Sequence, residues 1–217
     1  MPTHSEPIIE QQLVAHRLVP VAVVDAVEDA VTLARTLAGA GLPVLEITLR
    51  TAVALSAIQA IRRECPEVLV GAGTVLEPAQ VRAAIEAGAR FGVSPGVNDQ
   101  VIEAARGAGW TFVPGVMTPS EIERALGHGC RLQKFFPAEP AGGVKLLKAL
   151  AGPYAHTGVR FVPLGGVQAE NMAAYLALPM VAAVGGSWLC ERGAIQGRRW
   201  EEIATVTRAA VAQAARL

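Results

Sequence analysis

Residues 19–49 read VPVAVVDAVEDAVTLARTLAGAGLPVLEITL. An apolar, β-branched run over residues 19–24 gives way to an alanine-rich stretch over 25–40. Apolar residues recur there at three- and four-residue spacing, the period of a helix with one buried face. Gly41 follows, and glycine takes the left-handed conformation that closes a helix end without a steric penalty. A second apolar run begins at Val44. Strand, helix, strand in about thirty residues is a unit whose strands lie parallel, because the crossover helix returns the chain to the same end of the sheet.

The unit repeats along the chain. Further apolar runs cover residues 68–70, 91–94, 111–115, 132–136, 160–164 and 181–184, making eight. Their centres, from Val21 and Leu45 to Phe161 and Ala182, lie 20 to 28 residues apart. Helical stretches separate them, for example over 52–64, 78–87, 98–108 and 119–127. Gly88 and Gly109 close two of these as Gly41 closes the first. Pro78 and Pro119 stand in a first helical turn, where a missing N–H is harmless. Parallel strands covered on both faces read as continuous apolar runs. An open doubly wound sheet and a closed (β/α)8 TIM barrel both accept this pattern, and the count of eight with a near-constant period favours the barrel. Residues 8–17 read as an extra N-terminal helix closing the barrel's bottom. No Ser/Gly/Pro-rich joint interrupts the chain, so residues 1–217 are expected to form a single domain.

Composition narrows the functional classes. Of 217 residues 52% are apolar and 18% charged, enough apolar surface to offset the entropy of ordering. Nineteen basic residues balance nineteen acidic ones with no basic run, so neither nucleic acid nor an anionic membrane is an expected partner. No segment approaches the roughly 18 apolar residues of a membrane span. The start, residues 1–7, is polar and lacks a signal core. Cys65, Cys130 and Cys190 are odd in number and far apart, as reduced thiols of a cytoplasmic protein would be.

Only Lys134, Lys145 and Lys148 among the basic residues are lysines. Lys145 and Lys148 belong to a helical stretch and are expected in solvent. Lys134 instead sits inside Leu132-Gln133-Lys134-Phe135-Phe136, a strand run. It either snorkels out at a strand end or serves as an amine that burial can deprotonate. Lysine can lose its proton where arginine cannot, which suits an imine-forming nucleophile.

Active sites of such barrels lie at the strands' carboxyl ends. In the second run, alternation puts Glu46, Thr48 and Arg50 on one face and Leu45, Ile47 and Leu49 on the other. These charges are either a buried Glu–Arg pair tying the core or a proton-shuttling carboxylate with a carboxylate-gripping arginine beyond it. Gly71-Ala72-Gly73-Thr74 and Ser94-Pro95-Gly96 end the third and fourth runs with glycines that let a ligand approach the backbone. Gly165-Gly166 and Gly185-Gly186-Ser187 end the last two. They are tight turns or backbone N–H cradles for a phosphate, the usual use of these two strand ends. His4, His16, His128 and His156 are scattered away from strand ends, so neither a metal triad nor a nucleophile–histidine pair is indicated. Trp110, Trp188 and Trp200 read as packing residues.

Taken together, Leu45-Glu46-Ile47-Thr48-Leu49-Arg50, Gly71-Ala72-Gly73-Thr74-Val75, Ser94-Pro95-Gly96, Pro114-Gly115-Val116-Met117-Thr118-Pro119 and Lys134-Phe135-Phe136-Pro137-Ala138 resemble, in order, the KDPG aldolase family. That family comprises 2-dehydro-3-deoxy-6-phosphogluconate and 4-hydroxy-2-oxoglutarate aldolases. The resemblance, from about residue 8 to the C-terminus, implies a homotrimeric class I aldolase of the Entner–Doudoroff route that needs no metal or other cofactor. It implies Lys134 as the imine-forming lysine and Glu46 as the general acid/base. It puts a pyruvyl carboxylate near Arg50 and Thr74, with Pro95 and Phe136 lining the pocket. The phosphate is implied near Gly165, Gly166, Gly186 and Ser187. Substrates would be 2-keto-4-hydroxy acids, released as pyruvate and either glyceraldehyde 3-phosphate or glyoxylate. The chain departs from the family at Pro163-Leu164-Gly165-Gly166, where the family carries threonine in place of Leu164, which bears on substrate preference and stereochemistry. Other readings are a galactonate-series aldolase, a phosphate-binding barrel isomerase with Glu46 as base, and a non-catalytic sensor.

Overall fold

A computed structural model describes residues 6–217; His4 and the first five residues of the polar start lie outside the described residues. The chain runs α1 (Glu6–His16), β1 (Leu18–Ala22), α2 (Val27–Gly39), β2 (Val44–Thr48), α3 (Ala54–Glu64), β3 (Leu69–Gly73), α4 (Pro78–Glu86), β4 (Phe91–Val93), α5 (Asp99–Gly107), β5 (Thr111–Val113) and β6 (Gly115–Val116). It continues with α6 (Pro119–Gly127), β7 (Leu132–Phe135), α7 (Ala138–Ala141), α8 (Gly143–Tyr154), β8 (Arg160–Pro163), α9 (Met172–Leu176), β9 (Val184–Gly186), α10 (Arg192–Gln196) and α11 (Trp200–Ala214).

The repeat seen in sequence has a repeated local cause. Gly41, Gly88, Gly109 and Gly129 have φ of 88°, 93°, 64° and 85°. After each, the next residue returns its N–H to a carbonyl five back: Leu42 to Leu37, Ala89 to Ala84, Trp110 to Ala105 and Cys130 to Ala125, at 2.9–3.0 Å. That bond satisfies a helix-end carbonyl and turns the chain into the next strand. Pro78 and Pro119 occupy the first turns of α4 and α6, each behind a capping box, from Glu77 and Thr118.

All strand pairs are parallel. The result is an α/β fold with a curled parallel sheet in two sections, ordered β5-β4-β3-β2-β1-β9 and β6-β7-β8. The fifth run is broken where the sequence suggested one strand. Pro114 has no N–H to give, so β5 pairs with β4 on one side while β6 pairs with β7 on the other. Pro114 still accepts from Lys134 N–H at 2.9 Å. At the far edge Phe161 of β8 exchanges bonds with Met180 and Ala182, a single bridge just before β9. The last strand therefore starts later than the sequence indicated, and Gly185-Gly186 lies within it rather than after it.

Alternation along the strands separates two apolar regions. Val44 joins Val19, Phe91 and Val113 inside the curl, whereas Leu45 and Ile47 face outward onto α2 and α3. The inner region is closed at the strands' amino ends by Ile9 and Leu13 of α1, 1% and 2% exposed. A helix thus stands where residues 8–17 suggested one, and it covers one end of the curled sheet. Each of these two side chains contributes about 1.5–3 kcal/mol by leaving water.

Candidate functional site

Glu46 shares the inward face of β2 with Val44, and Lys134 that of β7. Both line one cavity inside the curl, with Leu13 beneath and Phe91, Val113 and Leu164 around it. At about 10 Å³ it holds about one water. Glu46 is 1% exposed and Lys134 6%, so neither snorkels to solvent. Lys134 Nζ lies 4.8 Å from the centroid of the Phe136 ring, a cation–π contact for the charged amine. The two residues stand on opposite sections of the sheet and are 88 positions apart in sequence, so only the curl brings them together.

The Glu46 carboxyl leans along β3 rather than toward Arg50. A Cβ at Gly73 would sit 2.0 Å from Glu46 Oε1, 2.7 Å from Cδ and 2.8 Å from Cγ. A Cβ at Gly71 would sit 2.3 Å from the Phe91 ring. The two glycines therefore make room for neighbouring side chains, which corrects the expectation that they admit a ligand to the backbone. Glu46 Oε1 is buried without a hydrogen-bond partner among the described residues. Burial pushes the carboxyl above its usual pKa, and the charge of Lys134 opposes that shift.

Arg50 lies just past β2, exposed, and its guanidinium has no partner among the described residues. The alternative of a buried Glu–Arg pair is thereby removed, and the cation stands in solvent just past the carboxyl end of β2. Thr74, half-buried, follows β3 in the left-handed region at φ 58°, strained for a β-branched residue. Pro95 is half-buried after β4 with its backbone against Gly115, whose added Cβ would meet the Pro95 carbonyl at 2.2 Å. Gly115 is the register partner of Lys134, so this contact brings Pro95 to the lysine's side of the sheet. Lys145 and Lys148 are exposed on α8.

The two glycine pairs differ. Gly165 and Gly166 turn through φ of 92° and 81° at the end of β8. Gly186 is extended, with φ −178°, and a Cβ there would meet the Trp188 ring at 2.0 Å. Gly185 faces Leu164, whose Cγ lies 2.7 Å from the position of an added Cβ. The second pair is thus kept small by packing, and Ser187 beyond it is exposed. Two contributors escaped the sequence reading. Gly73 could have been found as an inward glycine beside a strand with an inward glutamate. Cys190 gave no signal: it is buried near Glu46, its thiol faces the Val21 carbonyl at 3.5 Å, and burial with the Glu46 charge pushes it up to about 12. Such a thiol stays protonated and unreactive.

A curled parallel sheet with one amine and one carboxylate buried in a shared inner cavity, and an exposed arginine, unpaired among the described residues, just past β2, has the outline of an enzyme that works through a lysine. The comparisons with known proteins name the family. A family model described as "KDPG and KHG aldolase" matches residues 9–206, and the chain belongs to that family. It is 47% identical to the 2-dehydro-3-deoxy-phosphogluconate aldolase of Treponema pallidum, over 88% of this chain and 90% of that one. It is 45% identical to the KHG/KDPG aldolase of Escherichia coli strain K12, over 93% and 94%. Among solved structures, the KDPG aldolase of Legionella pneumophila, with pyruvate captured at low pH as a covalent carbinolamine intermediate, superposes with a TM-score of 0.89 at 40% identity, covering 93% of this chain and 97% of that one.

Proposed function

We propose that the protein is a class I aldolase that cleaves 2-dehydro-3-deoxy-6-phosphogluconate to pyruvate and glyceraldehyde 3-phosphate, and 4-hydroxy-2-oxoglutarate to pyruvate and glyoxylate. The observation that carries this reading is the burial of Lys134 and Glu46 on one cavity. The carbinolamine described for the Legionella enzyme supports the same chemistry here.

Neutral Lys134 attacks the C2 ketone, and loss of water from the carbinolamine gives an iminium. Its positive nitrogen is the electron sink, so the step needs no cofactor. Glu46 takes the C4 hydroxyl proton, the C3–C4 bond breaks, and its electron pair passes into the enamine. The aldehyde leaves, the enamine is protonated at C3, and water hydrolyses the iminium to pyruvate and free Lys134. A carboxyl whose pKa burial has raised is suited to both accepting and returning that proton. The inner cavity holds only about one water, so the bulk of the substrate belongs at the strand ends above it. There Arg50 and Thr74 hold the carboxylate, Pro95 and Phe136 line the walls, and Gly165, Gly166, Gly186 and Ser187 receive the phosphate. The single bridge at Phe161 and the chain's continuity through Pro114 support closure of the two sheet sections into an eight-stranded barrel. Family membership is the ground for a cytoplasmic homotrimer; sedimentation measures the oligomer.

Borohydride reduction in the presence of pyruvate, followed by intact mass, tests the reading. One reduced pyruvyl adduct per chain is expected, and none in Lys134→Met. An isomerase or a sensor gains no adduct, and that result overturns the proposal.

A further inference from the structure

Three consecutive carbonyls at the turn after β8 are tied back. Leu164 O accepts from Ala138 N–H at 2.7 Å and Gly165 O from Glu139 N–H at 2.9 Å, both at the start of α7. Gly166 O accepts from the Asn171 side-chain amide at 3.1 Å. The other end of that amide is fixed too, because Asn171 Oδ1 accepts from Gln168 N–H at 2.8 Å. Behind the turn stands Glu139: a Cβ on Gly166 would lie 2.6 Å from the Glu139 Cβ, and the Tyr175 hydroxyl donates to the Glu139 carboxylate.

In a planar trans peptide the carbonyl and the N–H point in opposite directions. Each tied carbonyl therefore turns away the N–H of the next residue: Gly165, Gly166 and Val167. None of these three N–H groups has an acceptor among the described residues. Successive free N–H groups around a positive-φ turn form a concavity for an anion. Two of the three anchors are backbone N–H groups that side-chain truncation leaves in place. The third is Asn171.

We infer that Asn171 is a positioning residue that aims the Gly166–Val167 peptide N–H at the anionic group of the substrate. This rests on the phosphate reading of the Gly165-Gly166 turn given above. Asn171 does not touch the reacting carbons, so its effect should separate by substrate. A substrate with a distal phosphate feels the loss, and an unphosphorylated analogue does not.

The test is steady-state cleavage of a phosphorylated 2-keto-3-deoxy acid and of its unphosphorylated analogue by Asn171→Ala, with inorganic phosphate as competitive inhibitor. Losing one well-aimed hydrogen bond should lower the phosphorylated-to-unphosphorylated kcat/KM ratio about fivefold and weaken inhibition by phosphate about fivefold. The rate of borohydride trapping of pyruvate reports the lysine chemistry and should hold. Equal losses for both substrates, or none for either, overturn the inference. Should Asn171→Ala fail to fold, Asn171→Ser keeps a hydroxyl acceptor for Gln168 N–H without the reach to Gly166 O, and the same ratio decides. A wild-type enzyme that traps pyruvate but ignores inorganic phosphate and treats both substrates alike overturns the phosphate turn and this inference with it. A wild-type protein that traps no pyruvate overturns the aldolase reading instead.

Discussion

Alanine at position 73 adds one methyl where the Glu46 carboxyl now lies. The new Cβ would stand 2.0 Å from Oε1, and real Cβ contacts essentially never fall under 3.0 Å, so one of the two must move by at least 1.0 Å. Gly73 does not have a positive φ, so alanine suits its backbone and the conflict is confined to the carboxyl. Glu46 must give way, since its neighbour on that side is main chain of β3. Overpacking of this kind costs about 1–3 kcal/mol. For a chain of this size that lowers Tm by roughly 2–12 °C. The catalytic effect should be larger, because misplacing a reacting group by about 1 Å costs on the order of 100-fold. The expected Gly73→Ala enzyme forms the pyruvyl imine on Lys134 but exchanges the methyl protons of pyruvate about 100-fold more slowly. Borohydride trapping and deuterium exchange followed by NMR measure the two steps separately. Exchange within a few-fold of wild type in a folded Gly73→Ala protein would refute the assignment of the notch and, with it, the acid/base role of Glu46.

Two further outcomes follow from the same cavity. The folded-state pKa of Glu46 is raised above 4.5 by burial, so the stability this group contributes is present at low pH and lost as pH rises from the unfolded value through the folded one. Glu46→Gln does not titrate; its urea midpoint should gain on wild type as pH rises above the unfolded carboxyl's value, and a gain on acidification would contradict the shift. Leu164, 5% exposed and packed over Gly185, presents an apolar wall to the cavity. Leu164→Thr supplies a hydroxyl there and should raise kcat/KM for the phosphorylated hydroxy-acid about fivefold, one hydrogen bond's worth, with pyruvate exchange unchanged. No change in kcat/KM would show that the substrate does not reach this wall.

Much of the architecture was legible because it is local. The strand–helix period, the glycine that ends each helix and the prolines that begin α4 and α6 all follow from conformational preferences within a few residues. Alternation in residues 44–50 put Glu46 on the face opposite Leu45 and Ile47, since successive strand side chains must point to opposite faces, and the curl turns that face inward with Val44. Arg50 broke the pattern's simplest extension: β2 ends at Thr48, so the arginine leaves the strand for an exposed turn, and the Glu–Arg pair does not form. The broken fifth strand was readable in principle from Pro114, which lacks the N–H a continuous ladder needs. Gly185-Gly186 looked like Gly165-Gly166 in sequence, yet one pair is extended strand and the other a left-handed turn.

The sequence by itself determined the parallel strand–helix repeat, the placing of Glu46 on the face opposite Leu45 and Ile47, the oddity of a lysine in an apolar strand and the family. It did so because backbone preferences and side-chain alternation act between neighbours, and because a set of ordered motifs is hard to meet by chance. Only the tertiary structure decided that Lys134 and Glu46 share one cavity, that Gly73 holds the carboxyl, and that Asn171 braces the turn after β8. These are contacts between distant segments, and they exist only once the sheet has curled and burial has set which side chain fills each missing Cβ.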